Sequence, residues 1–362
     1  MAVPAFMQKY MKENKATLAA EEKNSGVIRK YYDTGSYVLN ALVSADMFKG
    51  IAGNKIIGLG GPSGCGKTYF ALSIIKSFLN DNPTGYCVWY DTESTISKEL
   101  LDSRNIDSNR VLIVEPAHVN DFKVKIMQFM NEYQEIPVNE RIPIIMVLDS
   151  IGMLPDNKEI EDASNGDPKA DQGGRAKKIK SLFRTITSQL GVLDIPLIVT
   201  SHTYSTMDMF PQEVLSSGVG LVYSASTIIC LGKALEKDGK DVVGVILRCK
   251  AMKSRLSKEN NVVRVLLNYK NGINRYYGLL DLAEASGIWK KVGTRYDVGG
   301  KLVFGKNINE NPEQYFTQDV LNQINEYVKK VFSYGSNVIL DVNKIEQVDN
   351  EENKNENENF EQ

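Results

Sequence analysis

Residues Gly61-Pro62-Ser63-Gly64-Cys65-Gly66-Lys67-Thr68 carry glycines, a lysine and a threonine at the spacing G-x-x-x-x-G-K-[ST]. A turn of this composition points successive backbone N–H groups inward, where they can wrap the oxygens of a phosphate chain. An apolar strand precedes it and a helix is predicted from near Lys67, so the positive end of that helix adds to the cradle. Lys67 would neutralise the β- and γ-phosphates, and Thr68 would offer its hydroxyl to Mg²⁺. The chemistry is ATP binding, with Gly61, Pro62, Ser63, Gly64, Cys65, Gly66, Lys67 and Thr68 as the binding residues and ATP with Mg²⁺ as the expected cofactors.

Two acids are placed to complete such a site. Ile144 to Leu148 is an apolar run that ends in Asp149, the arrangement that sets a carboxylate beside a phosphate loop to hold the magnesium shell, partly through water. Val88-Trp89-Tyr90 ends in Asp91-Thr92-Glu93, and Glu93 is the candidate general base for an attacking water. A third run, Leu197 to Thr200, ends in Ser201-His202-Thr203. His202 is either a donor to the γ-phosphate or a structural histidine at a strand end.

Basic residues gather in two places: Arg175, Lys177, Lys178, Lys180 and Arg184, and then Arg248, Lys250, Lys253, Arg255 and Lys258. A charge run is commonly a solvated face. Position favours contact with nucleic acid, because the first cluster follows a Gly-containing stretch that leaves a strand end. A second stretch offers Tyr204, Met207, Met209 and Phe210, side chains able to contact or separate bases. Arg175, Lys177, Lys178, Tyr204, Met207 and Phe210 are the candidate DNA-binding residues.

The elements that must position these groups are strands at Lys55–Gly60, Tyr86–Tyr90, Val111–Val114, Pro143–Leu148, Pro196–Thr200 and Thr227–Leu231. Their near-continuous Val, Ile and Leu content is that of parallel strands covered on both faces. Between them, Ala71, Leu72, Ile75, Phe78 and Leu79 form one helical stripe, and Ile179, Leu182, Phe183, Ile186 and Leu190 form another. This βαβ alternation predicts an α/β fold: a P-loop ATPase core with a mostly parallel central sheet flanked by helices. Two long stretches, 155–174 and 204–220, interrupt the rhythm and are predicted as functional loops. A short N-terminal helical arm (1–32) precedes the core (33–277). A small C-terminal α+β region (278–345) follows, with a hairpin around Gly299-Gly300, and residues 346–362 form an acidic tail too polar to order.

Of the 362 residues, 42% are hydrophobic and 24% charged, enough apolar surface for a sizeable core. No apolar stretch approaches the ~18 residues of a membrane span, and the expected setting is the cytoplasm. Cys65, Cys87, Cys230 and Cys249 show no zinc-site spacing. The net charge is −2, yet residues 341–362 carry eight acids and two lysines, leaving 41 basic and 37 acidic residues before them. The acidity is confined to the tail.

The order of Thr34-Gly35-Ser36-Tyr37-Val38-Leu39-Asn40, the phosphate loop, Asp91-Thr92-Glu93, Leu148-Asp149-Ser150 and the strand ending in His202 resembles the RecA-family recombinases, the phage members above all. Lys180-Ser181-Leu182-Phe183-Arg184, Ser201-His202-Thr203-Tyr204, Tyr223-Ser224-Ala225, Lys253-Ser254-Arg255 and Gly278-Leu279-Leu280-Asp281-Leu282-Ala283 support it. The likeness runs from about Asp33 to Trp289 and fades beyond. It implies a RecA-like core and an ATP-dependent filament on single-stranded DNA that searches duplex DNA and exchanges strands. It implies that Glu93 is the catalytic glutamate and that His202 holds the sensor position, where cellular RecA proteins carry glutamine. The stretches 155–174 and 204–220 would be DNA-binding loops. Lys253 and Arg255 would reach ATP on the neighbouring subunit, and the N-terminal helix would dock on an adjacent protomer. Expected partners are single- and double-stranded DNA, further copies of the chain, a recombination mediator and a single-stranded-DNA-binding protein. Two other classes share the phosphate loop: a ring-forming helicase motor, for which the segment before Thr34 offers little room, and a non-catalytic ATP-switched mediator, for which Glu93 would be unnecessary.

Overall fold

The six apolar runs become the parallel half of one ten-stranded sheet in the computed structural model, which describes residues 3–21, 26–165, 173–205, 213–238, 241–269 and 271–336. Its strands are β1 (Ile56–Gly61), β2 (Tyr86–Asp91), β3 (Val111–Val114), β4 (Ile144–Asp149), β5 (Leu197–Ser205), β6 (Glu213–Leu215), β7 (Thr227–Asp238), β8 (Asp241–Ser254), β9 (Val262–Asn268) and β10 (Gly272–Ile273). They lie in the order β10-β9-β8-β7-β1-β5-β4-β2-β3, with β6 hydrogen-bonded to β5. From β7 to β3 every pairing is parallel. The strand leading into the phosphate loop thus lies inside the sheet, between β7 and β5, where both its edges are paired.

The main helices are α1 (Ala5–Asn14), α2 (Tyr37–Ser44), α3 (Lys67–Asp81), α4 (Val119–Glu135), α5 (Asn157–Ser164), α6 (Gly174–Leu193), α7 (Val219–Ser224), α8 (Leu279–Ala285) and α9 (Gln318–Phe332). Alternation along each buried strand divides the core in two. Cys87 and Trp89 of β2 and Ile145 and Val147 of β4 join one cluster with α2 and α3. Val88, Tyr90, Met146 and Leu148 join the other with α4 and α6. Both predicted helical stripes are buried, from Ala71 to Leu79 in α3 and from Ile179 to Leu190 in α6.

The segment Thr34–Asn40 proves to be a helix start. Ser36 Oγ accepts from the Leu39 N–H, while Asn40 Oδ1 accepts from the Thr34 N–H (3.0 Å) and hydroxyl (2.7 Å). All three side chains are buried, so the motif secures α2 against the sheet.

Within the predicted core, residues 242–277 continue the same sheet through antiparallel β8, β9 and β10; Val245, Leu247, Cys249 and Ala251 alternate into the core with the period of two that a strand imposes. Two expectations change. The stretch 204–220 is not a simple loop, because β5 and β6 form a ladder pairing Thr203 with Leu215, and α7 begins at Val219. Within 155–174, α5 is set by a capping box in which Asp156 and Glu159 satisfy each other's backbone N–H groups, the reciprocal arrangement that starts a short helix.

The hairpin at Gly299-Gly300 joins Arg295–Val298 to Lys301–Phe304. Both glycines have positive φ, 59° and 86°, as a two-residue turn matched to strand twist requires. Beyond residue 277, Leu321, Ile324, Val328 and Phe332 of α9 share a hydrophobic cluster with Leu39 and Leu42 of α2. Asn325 adds a polar tie, accepting from the Met47 N–H (2.7 Å) and donating to Asp46 Oδ1 (3.0 Å). α1 buries no residue, and Phe6 and Tyr10 are exposed. Among the described residues no helix is long and apolar enough to cross a membrane. Met207, Phe210 and residues 346–362 lie outside the described residues.

Candidate functional site

Parallel strands bring their carboxyl ends to one edge, and here β1, β2, β4 and β5 deliver the phosphate loop, Glu93, Asp149 and His202 to the same place. β1 can only end in glycine. A Cβ at Gly61 would fall 2.6 Å from Cys65 Sγ and 2.9 Å from the Leu231 carbonyl oxygen, and one at Gly60 would fall 2.6 Å from Leu215 Cδ2. Gly64 and Gly66 lie in the left-handed region at φ 71° and 95°, which turns the chain into α3 at Lys67.

Lys67 is buried, and its ammonium donates to the carbonyl oxygens of Gly61 (3.0 Å) and Pro62 (2.8 Å). It also lies 3.2 Å from His202 Nδ1. An ammonium can only donate, so Nδ1 accepts and the ring proton is assigned to Nε2. That nitrogen faces Glu93 Oε1 at 3.4 Å. His202 therefore bridges the phosphate-loop lysine and the candidate base. Glu93 Oε1 also accepts from Ser150 Oγ (2.7 Å). Among the described residues no hydrogen bond takes up Oε2.

Thr68 Oγ1 donates to Asp149 Oδ2 (2.7 Å), and Thr200 Oγ1 donates to Oδ1. Thr68 and Asp149 are thus side by side, as a shared Mg²⁺ shell requires. Among the described residues no cluster of three His, Cys, Asp or Glu side chains could hold a metal alone. The ion that fits here would complete its shell with phosphate oxygens and water, as Mg²⁺ does. The positive-φ glycines, the N–H-lined turn and the Thr68–Asp149 pair all suit a nucleotide triphosphate carrying that cation.

Asp91 sits beside Asp149 in the β2–β4 register but has another task. Its oxygens accept from the N–H groups of Glu93 (3.0 Å), Thr95 (2.9 Å) and Ile96 (2.9 Å), folding the turn that presents Glu93. Among the described residues the Asp149 carboxyl accepts only from the two threonine hydroxyls, and it is pushed above the ordinary range. Burial is the main cause, the threonine hydrogen bonds oppose it, and the charges of Glu93 and Asp91 add to it. The folded state thus holds this proton more tightly than the unfolded chain does. The contribution of Asp149 to stability is therefore fullest below the unfolded value near 4 and is lost as pH rises through the raised folded value. Asp149→Asn, measured without nucleotide or Mg²⁺, is expected to melt higher than the parent at about pH 8, with the gap closing towards about pH 5. An equal Tm at both pH values would show that the carboxylate is not strained by its burial.

His202 is tied to the ladder that follows it. Its carbonyl oxygen accepts from the Ser216 N–H (2.8 Å), and Ser201 Oγ accepts from the Ser217 N–H (3.3 Å). Tyr204, two residues on, is exposed.

The basic residues divide. Lys177 is exposed, as a DNA contact would need. Lys178 is half-buried and pairs with Asp156. Arg175, expected from sequence as a DNA contact, donates from its guanidinium to the carbonyl oxygens of Leu154 (2.8 Å), Ile151 (2.9 Å) and Gly152 (2.8 Å). Lys253 and Arg255 are not brought to the phosphate loop of their own chain. Lys253 Nζ donates to the carbonyl oxygens of Val222 (2.5 Å) and Ala225 (2.8 Å), and Arg255 donates to that of Tyr223 (3.0 Å). Cations at a helix C-terminus satisfy its orphan carbonyls, so the pair caps α7. Burial lowers the Lys253 pKa, Arg255 lowers it further, and Glu259 opposes them.

Sequence reasoning missed Ser150, Thr92 and Thr200. Thr200 had a legible signal, since β4 and β5 run parallel and Leu148 pairs with Val199, so the next residues, Asp149 and Thr200, had to be neighbours. Ser150 and Thr92 had none, because their contacts depend on how two loops fold over the sheet edge.

Residues 2–274 match the model of the RecA N-terminal domain. The "Recombination and repair protein" of Enterobacteria phage T4 is 33% identical over 246 residues, covering 68% of this chain and 61% of that protein. This chain therefore spans about three fifths of its phage relative's length. "Protein RecA" of Syntrophus aciditrophicus is 26% identical over 295 residues, covering 79% of this chain and 82% of that one. "Protein RecA" of Haemophilus ducreyi is 26% identical over 316 residues, with 82% of each chain covered. A domain match across most of the chain and a phage relative at this identity, on a sheet edge that gathers Lys67, Glu93, Asp149 and His202, place the protein in the RecA family.

Proposed function

We propose that this protein is an ATP-dependent homologous recombinase that forms helical filaments on single-stranded DNA, searches duplex DNA for homology and exchanges strands. The observation that carries the reading is the position of His202. It touches the phosphate-loop lysine with one ring nitrogen and the candidate base with the other, while its backbone is bonded to the root of the second long stretch. A change at the γ-phosphate is thereby felt at the DNA-facing ladder, and the reverse. Glu93 Oε2 would take a proton from the attacking water. The bound Mg²⁺, held by Thr68 and Asp149, would offset charge on the phosphates.

Lys177 and Tyr204 are exposed where the DNA would run, with Met207 and Phe210 assigned to the same surface from sequence. Lys253 and Arg255 would exchange their α7 carbonyls for the nucleotide of an adjacent protomer, and α1, which has no buried residue, would dock on that protomer. A mediator and a single-stranded-DNA-binding protein are the further partners of such a cycle, which would run in the cytoplasm, that of the bacterial host if the chain is phage-encoded. The names of the relatives, a recombination and repair protein and RecA proteins, support this reading over a helicase motor or a non-catalytic mediator.

Purified protein should hydrolyse ATP at least about tenfold faster with single-stranded DNA than without it, and electron microscopy should show open filaments. Hydrolysis indifferent to DNA at every salt concentration, or closed rings only, would overturn the proposal.

A further inference from the structure

Arg175 stands on the first turn of α6, immediately after the first long stretch, and reaches back across it. It holds the carbonyl of Leu154, just ahead of that stretch, and those of Ile151 and Gly152 in the short 3-10 turn Ile151–Met153. One guanidinium therefore fastens both ends of the stretch to this turn. Ser150 is the residue from which the turn starts, and it is fully buried. Its backbone cannot slide independently: its N–H donates to Thr92 Oγ1 (2.7 Å), and its carbonyl accepts from that same hydroxyl (2.9 Å). Its own hydroxyl holds Glu93 Oε1 at 2.7 Å.

We propose that Arg175 and Ser150 are positioning residues that transmit the state of the first long stretch to Glu93, so that DNA bound there sets where the base stands. The proposal rests on the DNA-dependent ATPase reading above. A phosphate contact for Arg175 would require it to surrender hydrogen bonds from a charged donor worth about 1.5–3 kcal/mol each, and with them the tie across the stretch. Its three carbonyl partners lie one to four residues from Ser150, so a shift of the turn moves the Ser150 hydroxyl directly. Misplacing a reacting group by about 1 Å can cost on the order of 100-fold in rate.

The test uses the full chain, a labelled oligothymidine strand and ATP turnover. Arg175→Met should leave DNA affinity and its salt dependence unchanged while lowering turnover at saturating DNA by about tenfold or more, in kcat and not in KM for ATP. Arg175→Lys keeps the charge, but its single nitrogen cannot reproduce the planar fork whose Nε and Nη2 serve Leu154 and the Ile151–Gly152 pair separately, so it should fail in the same way. Ser150→Ala should lower kcat likewise with KM unchanged. A phosphate contact gives the opposite pattern: the slope of log affinity against log salt falls by about 0.7, lysine substitutes well, and turnover at saturating DNA is preserved. That pattern overturns the proposal, as does parental turnover in Ser150→Ala. Should Arg175→Met lose its cooperative melt, Arg175→Lys and Ser150→Ala decide the matter. Parental turnover that ignores DNA is a separate outcome, which removes the recombinase reading and this proposal with it.

Discussion

Lys67→Ala is expected to reduce ATP turnover by roughly a thousandfold, about 4 kcal/mol of transition-state stabilisation. Lys67 lies against the loop that would receive the phosphates, and its ammonium is bound to the Gly61 and Pro62 carbonyls and to His202. Those contacts use all three of its N–H groups, so it would exchange at least one of them for a phosphate oxygen, and the charge held there would stabilise negative charge as it develops. Removing it also frees His202 Nδ1 from its donor, so the contact to Glu93 should loosen. Phosphate release measured with and without DNA checks this; turnover within about tenfold of the parent would show that another group carries the charge.

Glu93→Gln is expected to lower kcat by about 10²- to 10⁴-fold while leaving ATP binding intact. Glutamine can still accept from Ser150 Oγ through its amide oxygen, so the side chain keeps its place and loses only its capacity to take a proton. The variant should accumulate long-lived, ATP-bound filaments on DNA. Nucleotide retention and single-turnover hydrolysis measured together separate this from a loss of binding, and a kcat near the parental value would move the base elsewhere.

The parts most legible in the sequence are those whose chemistry is contiguous or whose strand ends it. The phosphate loop is one unbroken segment, and the acids and His202 close apolar runs, so the α/β rule alone brings them to one edge. The six parallel strands were readable for the same reason, each being apolar on both faces. Arg175 shows where reading stops. Its charge is visible in the sequence, but the three carbonyls that claim it are assembled only when the turn at Ile151 packs against the start of α6. Lys253 and Arg255 are similar: a basic pair reads as a ligand contact, whereas in the single chain the orphan carbonyls of α7 satisfy it. The ladder pairing Thr203 with Leu215 escaped because Ser, Met and Gly conceal a strand as short as β6.

Gly60 and Leu215 meet with no clearance, since the methyl of Leu215 occupies the space a side chain at position 60 would need. Leu215 is buried and belongs to the short strand at the root of the second long stretch, while Gly60 lies one residue before the phosphate loop. The contact is made by the flexible end of a side chain, so a methyl at position 60 would be met by a shift of Leu215. Motion away opens a void, at about 24 cal/mol for each Å³ that stays empty. The packing of the root is thereby tied to the strand that feeds the phosphate loop, and a larger residue at position 60 should disturb the root without touching any group that does chemistry.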